Sequence, residues 1–173
     1  MPTVLTHAAV GVGLAVTTGQ ADSPLCLGLS IALATAPDLD TLGLPLGVPY
    51  ESFFGHRGFC HSLCCALLVA LPVSLAFSGP LAVPWWLLWA YFFAVMASHG
   101  LLDGFNDGAE GIAYFSPFNN TRYLFPWRPI PAAYIDRQFI GPEMFQVLRS
   151  EILWIWLPLA VVVGCGLVWR FAL

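Results

Sequence analysis

Gly55-His56-Arg57-Gly58-Phe59-Cys60-His61-Ser62 runs straight into an apolar segment that continues to Phe77. Two of the four histidines and one of the six basic residues fall inside this octapeptide. Ionisable groups at the edge of a membrane-depth segment are costly to bury and mark functional sites. Imidazole binds metals and shuttles protons, and a guanidinium offers a planar fork to phosphate or carboxylate. Alone, the octapeptide also fits an interfacial anchor with Arg57 reaching to lipid head groups. The placement of the other polar residues decides between the two.

The 173 residues form one domain, 1–173. Hydrophobic residues make up 58% and charged ones 9%, with a mean hydropathy of +0.77. A soluble domain carries roughly 25% charged residues, so this composition indicates an all-α integral membrane protein. There is no lysine and no basic stripe, which argues against nucleic acid as a partner. The five cysteines include no CxxC pair, and only Cys60, between the two histidines, stands near candidate chemistry. The apolar N-terminal segment lacks a basic leader and contains a histidine, so it reads as retained.

About five membrane-embedded helices are expected. Residues 3–18 form the first, with Gly11 and Gly13 allowing close packing and Thr3 or Thr6 as cap. Pro24 opens a second, which stops at Pro37. Both are shorter than the ~20 residues of a full span. Residues 38–60 read as a re-entrant or surface loop, and a third helix covers about 59–77. Ser78-Gly79-Pro80 reads as a break. A fourth helix covers about 84–102, opening on the interface pair Trp85-Trp86. The proline-rich stretch 104–148 is a lid candidate, and a fifth helix covers about 150–168. Alternate crossing then brings His7, Asp38, Asp40, His56, His61, His99 and Asp103 to one membrane face.

His99 and Asp103 are spaced i, i+4 and share a helix face, so both can hold one metal or the carboxylate can orient the imidazole. Asp38 and Asp40 follow the Pro37 stop and offer two carboxylates. A satisfied core histidine at position 7, or a turn aspartate at 38, is the plain alternative for each taken singly. Four His and three Asp together exceed one closed tetrahedral zinc and are enough for two or more ions. Mixed imidazole and carboxylate ligation suits Zn, with Mn or Fe as alternatives, rather than Ca. Such a centre activates water and polarises a phosphoryl oxygen. Arg57, Asp40 and His61 are the catalytic candidates, with Arg57 binding substrate charge. The absence of HExxH, GxSxG and GxxxxGK[ST] speaks against zincin, serine-hydrolase and P-loop chemistry.

Thr6-His7, Pro37-Asp38-Leu39-Asp40, Gly55-His56-Arg57-Gly58-Phe59-x-His61-Ser62 and Ser98-His99-x-x-x-Asp103 occur in the order of the YdjM-like family. Ser150-Glu151 opening a Trp-rich last helix looks like that family's C-terminal end. The resemblance covers nearly the whole chain. It implies a membrane-bound, metal-dependent hydrolase of the bacterial inner membrane, in a family whose function is itself largely predicted. One departure is Cys60, where the family usually has Thr; a thiol there could bind metal, or the hydroxyl is not essential. The ligand order also looks faintly like zinc-dependent phospholipase C and P1-type nucleases.

The expected function is therefore cleavage of a phosphoester or related bond in a lipid or membrane-associated substrate. The rivals are a non-enzymatic metal-binding membrane protein or transporter, and a metal-free scaffold. Glu110 and Glu151 are candidate extra ligands or bases. Asp107, Arg122, Arg128, Asp136, Arg137 and Glu143 are candidate lid charges over a head group, or equally the solvated charges of a structured lid. Arg57, Arg122, Arg128, Arg137 and Arg149 fall on the site side and Arg170 on the other, which puts the site in the cytoplasm by the positive-inside rule.

Overall fold

A computed structural model describes residues 2–108, 110–131 and 142–172. The described residues hold six α-helices and no strand: α1 (Val4–Thr17), α2 (Pro24–Thr35), α3 (Leu63–Leu81), α4 (Trp85–Asp103), α5 (Pro142–Glu151) and α6 (Leu157–Ala172). Among them four segments are long and apolar enough to cross a membrane: Pro24–Leu46, Leu63–Leu81, Trp85–Asp103 and Met144–Arg170. The shorter apolar α1 makes a fifth embedded segment, matching the expected architecture.

Each helix boundary has a local cause. Pro24 occupies the first turn of α2, where its missing N–H costs nothing, and the Ser23 hydroxyl caps it by accepting from the Cys26 N–H. Ser62 caps α3 the same way through the Cys65 N–H. Thr3 sits at the cap position of α1 but makes no side-chain cap. Its hydroxyl is committed to Glu151 instead.

Three expectations are corrected. Pro37 does not end the helical course: the chain tightens into a 3-10 helix over Ala36–Leu46. A proline fits there because a turn of tighter pitch can begin where an α-helix would need the missing N–H. This continuation carries the second segment to full spanning length. The third helix does not break at Ser78-Gly79-Pro80 but runs to Leu81 and stops at Ala82, whose φ is 52°. The last helix begins at Pro142 rather than near 150. One π-helical turn, Ile152–Trp156, joins α5 to α6 without a loop. The stretch 104–148 is accordingly not all loop.

The core is a seam of Cys26, Leu33, Ala34, Cys65, Ala66, Ala70, Leu88, Phe92, Val95 and Met96, contributed by α2, α3 and α4. α1 closes on α2 and α6 through glycine: a Cβ on Gly11 would stand 2.8 Å from the Ser30 carbonyl oxygen, and one on Gly13 2.6 Å from Leu159. Close approach through small residues is how helices associate where lipid removes the hydrophobic drive. The bundle leaves one end polar. The start of α1, the end of α2, the start of α3 and the end of α4 all meet there.

Candidate metal centre

Two imidazoles define the centre. His99 Nδ1–H donates to the Ala34 carbonyl at 2.8 Å, which fixes the tautomer and leaves Nε2 as the bare nitrogen. That Nε2 faces the Nε2 of His61 across 3.2 Å. Asp38 Oδ1 lies 3.3 Å from His99 Nε2 and 3.8 Å from His61 Nε2, and Asp103 Oδ2 lies 3.6 Å from His61 Nε2. Asp38, His61, His99 and Asp103 thus bring four ligand atoms within 4.8 Å of one another. His99 and Asp103 are wholly buried.

Neither oxygen of Asp38 nor of Asp103 has a hydrogen-bond partner among the described residues, although all four are buried. The ion-pair distances are short, but the groups are not aligned to donate to one another. Leaving buried acceptors unmatched costs about 1–3 kcal/mol each, more when charged. Four unmatched carboxylate oxygens beside two converging imidazoles fit a divalent cation, which satisfies carboxylate and imidazole lone pairs at once. The chain's own donor set therefore suits the ion that the ligand pattern implies.

Asp40 supports this centre from behind. Its Oδ1 accepts from His56 Nδ1 at 2.7 Å, its Oδ2 accepts from the Arg57 N–H at 3.2 Å, and Oδ2 lies 3.0 Å from His61 Nδ1. Asp40, His56 and His61 form a second cluster of ligand atoms that shares His61 with the first. Burial works against charge on His61, but Asp38 and Asp40 overcome it and hold its imidazole up to about 9. A carboxylate behind a ligating histidine fixes the ring and raises its basicity.

His7 stacks on His99 with ring centroids 3.7 Å apart and planes at 16°. Its Nε2 lies 3.4 Å from Asp103 Oδ1, and both of its nitrogens are buried without a hydrogen-bond partner. It stands beside the four-atom convergence rather than in it. Arg57 is 2% exposed, with Nε 3.0 Å from Asp103 Oδ2. Its φ is 66°, a left-handed conformation that costs a side-chain-bearing residue roughly 1–2 kcal/mol. The strained turn is held on both sides, since the Arg57 N–H donates to Asp40 and its carbonyl accepts from Ala113. Such strain persists where surrounding contacts fix it, and it concentrates at functional sites.

All eight expected site residues, His7, Asp38, Asp40, His56, Arg57, His61, His99 and Asp103, meet at one end of the bundle. The other candidates fall elsewhere. Glu110 is exposed and belongs to neither cluster. Glu151 is buried, but its oxygens accept from the Thr3 N–H and from the Thr3 and Thr6 hydroxyls at 2.8 and 2.7 Å. Trp156 Nε1–H donates to the Thr6 hydroxyl at 2.8 Å, completing a lock between α1 and the π turn. Sequence reading gave Thr3 a capping role and missed its bond to Glu151 and the part of Trp156; an acidic residue at the head of a Trp-rich helix was the available signal. Cys60 binds in neither cluster. Its thiol is lowered to about 7 by a hydrogen bond from Cys65.

Arg122 is committed to backbone carbonyls. Its Nη1 donates to the His56 carbonyl at 3.0 Å and its Nη2 to the Tyr50 carbonyl at 2.9 Å, pinning the loop that carries His56 and Arg57. Arg128 donates to the Asp107 carbonyl at 3.2 Å. Asp136 and Arg137, and the side chain of Glu143, lie outside the described residues. Tyr114 buttresses the end of α4 by donating to the Gly100 carbonyl at 2.9 Å. A Cβ on Gly100 would come within 2.8 Å of the His61 carbonyl oxygen, so only glycine lets α4 press His99 against His61.

The chain is similar to the inner membrane protein YbcI of Escherichia coli (strain K12), with 37% identity over 177 residues, covering 98% of this chain and 99% of that protein. No solved structure matches it. The YdjM inner membrane protein family matches residues 1–173, in which the four motifs fold into the buried His/Asp cluster at one end of a helical bundle. This chain therefore belongs to the YdjM inner membrane protein family, a multi-pass protein of the bacterial inner membrane with a cluster able to hold a metal ion.

Proposed function

We propose that the protein is a metal-dependent hydrolase that cleaves a phosphoester or related bond in a membrane-associated substrate. The observation that carries this reading is the facing pair His61 Nε2 and His99 Nε2, 3.2 Å apart and flanked by carboxylate oxygens without hydrogen-bond partners. Asp38, His61, His99 and Asp103 would hold one divalent ion, zinc by ligand type, with Mn or Fe as alternatives. Bound there, the ion supplies Lewis acidity and lowers the pKa of a coordinated water.

The remaining roles belong to the chain. Arg57, held in a strained turn beside Asp103, offers a guanidinium to the substrate's negative charge. Asp40 orients His56 and His61 and is a positioning residue rather than a ligand. A second ion in the Asp40, His56 and His61 cluster would require His61 to give Nδ1 as well as Nε2, so one ion is the favoured count. The arginines at the site end, against Arg170 at the other, support a cytoplasmic site.

Elemental analysis of purified wild type and of a His99→Ala/Asp103→Ala double variant tests the ligands, alongside release of phosphate from a panel of phospholipids. One equivalent of zinc, manganese or iron, lost in the variant together with turnover, is expected. Full metal retention in the variant would sink the ligand set. Metal without turnover on any phosphoester would favour the non-enzymatic metal-binding or transport reading.

A further inference from the structure

An apolar groove of about 260 Å³ opens beside the metal centre, between α1, the end of α4, the segment 105–130 and the π turn. Every residue lining it is apolar. Ile130 and Ile155 are buried at its base, while Trp127, Trp154 and Val162 stand about half exposed at its rim. The groove is bound to the centre through shared helices. Val10 lies one turn from His7 on α1, and Leu102 directly precedes Asp103 on α4. Trp127 and Trp154 meet edge to face at 4.9 Å, and the π turn sets Trp154 and Ile155 side by side in the wall.

Two features point to the occupant. The outer wall belongs to the Met144–Arg170 segment, of which only 6% of the spanning window is buried, so the groove faces the bilayer's hydrocarbon. Its lining also has no charged side chain to recognise a sugar, peptide or nucleotide. Drug-sized sites run from about 300 to 1,000 Å³, so this volume suits one hydrocarbon chain rather than two.

We infer that the groove holds one hydrocarbon chain of a membrane lipid. The inference does not rest on the hydrolase reading.

The test uses the full chain in phosphatidylcholine nanodiscs doped with phosphatidic acid that carries a diazirine in one acyl chain. After illumination, labelled peptides are mapped by mass spectrometry. Labels should concentrate on the peptides of Trp127, Trp154 and Val162. Val162→Trp should cut them roughly tenfold, as expected for overfilling a fitted apolar site. Val162→Ala should keep them, and labels on the lipid-facing Leu68 and Leu75 of α3 should not change in either variant. Labelling spread evenly over α3 and the groove, or unchanged in a folded Val162→Trp protein, would overturn the inference. An unlabelled groove in a chain that runs as a dimer in native mass spectrometry would assign it to a second copy and also overturn it. Metal content and turnover, measured on the same wild-type protein, separate the two readings. Labels retained without metal or turnover in wild type would keep the groove and end the hydrolase assignment, whereas metal and turnover without groove labels would do the reverse.

Discussion

Arg57 Nε lies 3.0 Å from Asp103 Oδ2, so a fixed cation and the metal centre share one carboxylate. An ion held by Asp103 would share that carboxylate with the guanidinium. Removing the guanidinium frees Asp103 for the metal while taking away the group that meets substrate charge. Arg57→Gln should keep its full equivalent of metal by elemental analysis and lose roughly 10²–10³ in kcat, the scale for deleting one charge-stabilising donor. Loss of metal in that variant would make Arg57 a structural residue.

The same residue carries a backbone test. With φ at 66°, Arg57 holds a conformation that glycine adopts freely. Arg57→Gly should therefore be more stable than Arg57→Ala by about 1 kcal/mol, the usual cost of a Cβ in that region. Thermal unfolding of the two variants in one detergent compares them directly, and equal midpoints would refute the strain.

His61 should make metal binding pH-dependent, and the sign follows from its position. Its imidazole is held up to about 9, so without metal it carries a proton throughout the neutral range. Nε2 must lose that proton to bind the ion. Apparent metal affinity should fall roughly tenfold per pH unit below 9, with about one proton released per ion bound. Isothermal titration in buffers of different ionisation enthalpy counts the protons; a count of zero contradicts the assignment.

Gly100 tests contact between helices rather than ligation. Gly100→Ala places a Cβ within 2.8 Å of the His61 carbonyl oxygen and pushes His61 away from His99. Metal affinity should drop about 10–100-fold, as for other changes behind a ligand shell, with all ligands intact. Competition with a chromogenic chelator measures it.

Glu151 holds α1 to the last helix, away from the metal. Glu151→Ala strands three donors, the Thr3 N–H and the Thr3 and Thr6 hydroxyls. Each buried group left unmatched costs about 1–3 kcal/mol. The midpoint of unfolding should fall by about 2–4 °C per kcal/mol for a chain of this size, with metal content unchanged. Metal loss at native stability would instead return Glu151 to the centre.

The site was legible because its residues are dear to bury. His7, the Asp38–Asp40 pair, His56, His61, His99 and Asp103 each interrupt an apolar chain, and alternate crossing of the membrane suffices to put them at one end. Their division of labour was not legible. Asp38 and Asp40 look alike in sequence, yet one faces the imidazole nitrogens and the other stands behind them, a difference set by the pitch of the 3-10 helix. Proline misled in two places. Pro37 and Pro80 both read as stops, but one begins a tighter helix and the other is carried inside the last turn of α3. Arg122 looked like a ligand for head groups because side-chain chemistry is visible in sequence and the backbone carbonyls it binds are not.

The carbonyl of Ala34 gives the end of α2 a consequence for the candidate metal centre. That residue sits in the last turn of α2, just before the chain tightens into the 3-10 helix. Its oxygen takes a hydrogen from His99, and so decides which imidazole nitrogen is left bare. The electronic state of a side chain on the fourth helix is thus written by a backbone carbonyl on the second. A chain with every candidate ligand intact, but with the end of α2 turned away from α4, would lose the acceptor that chooses the nitrogen.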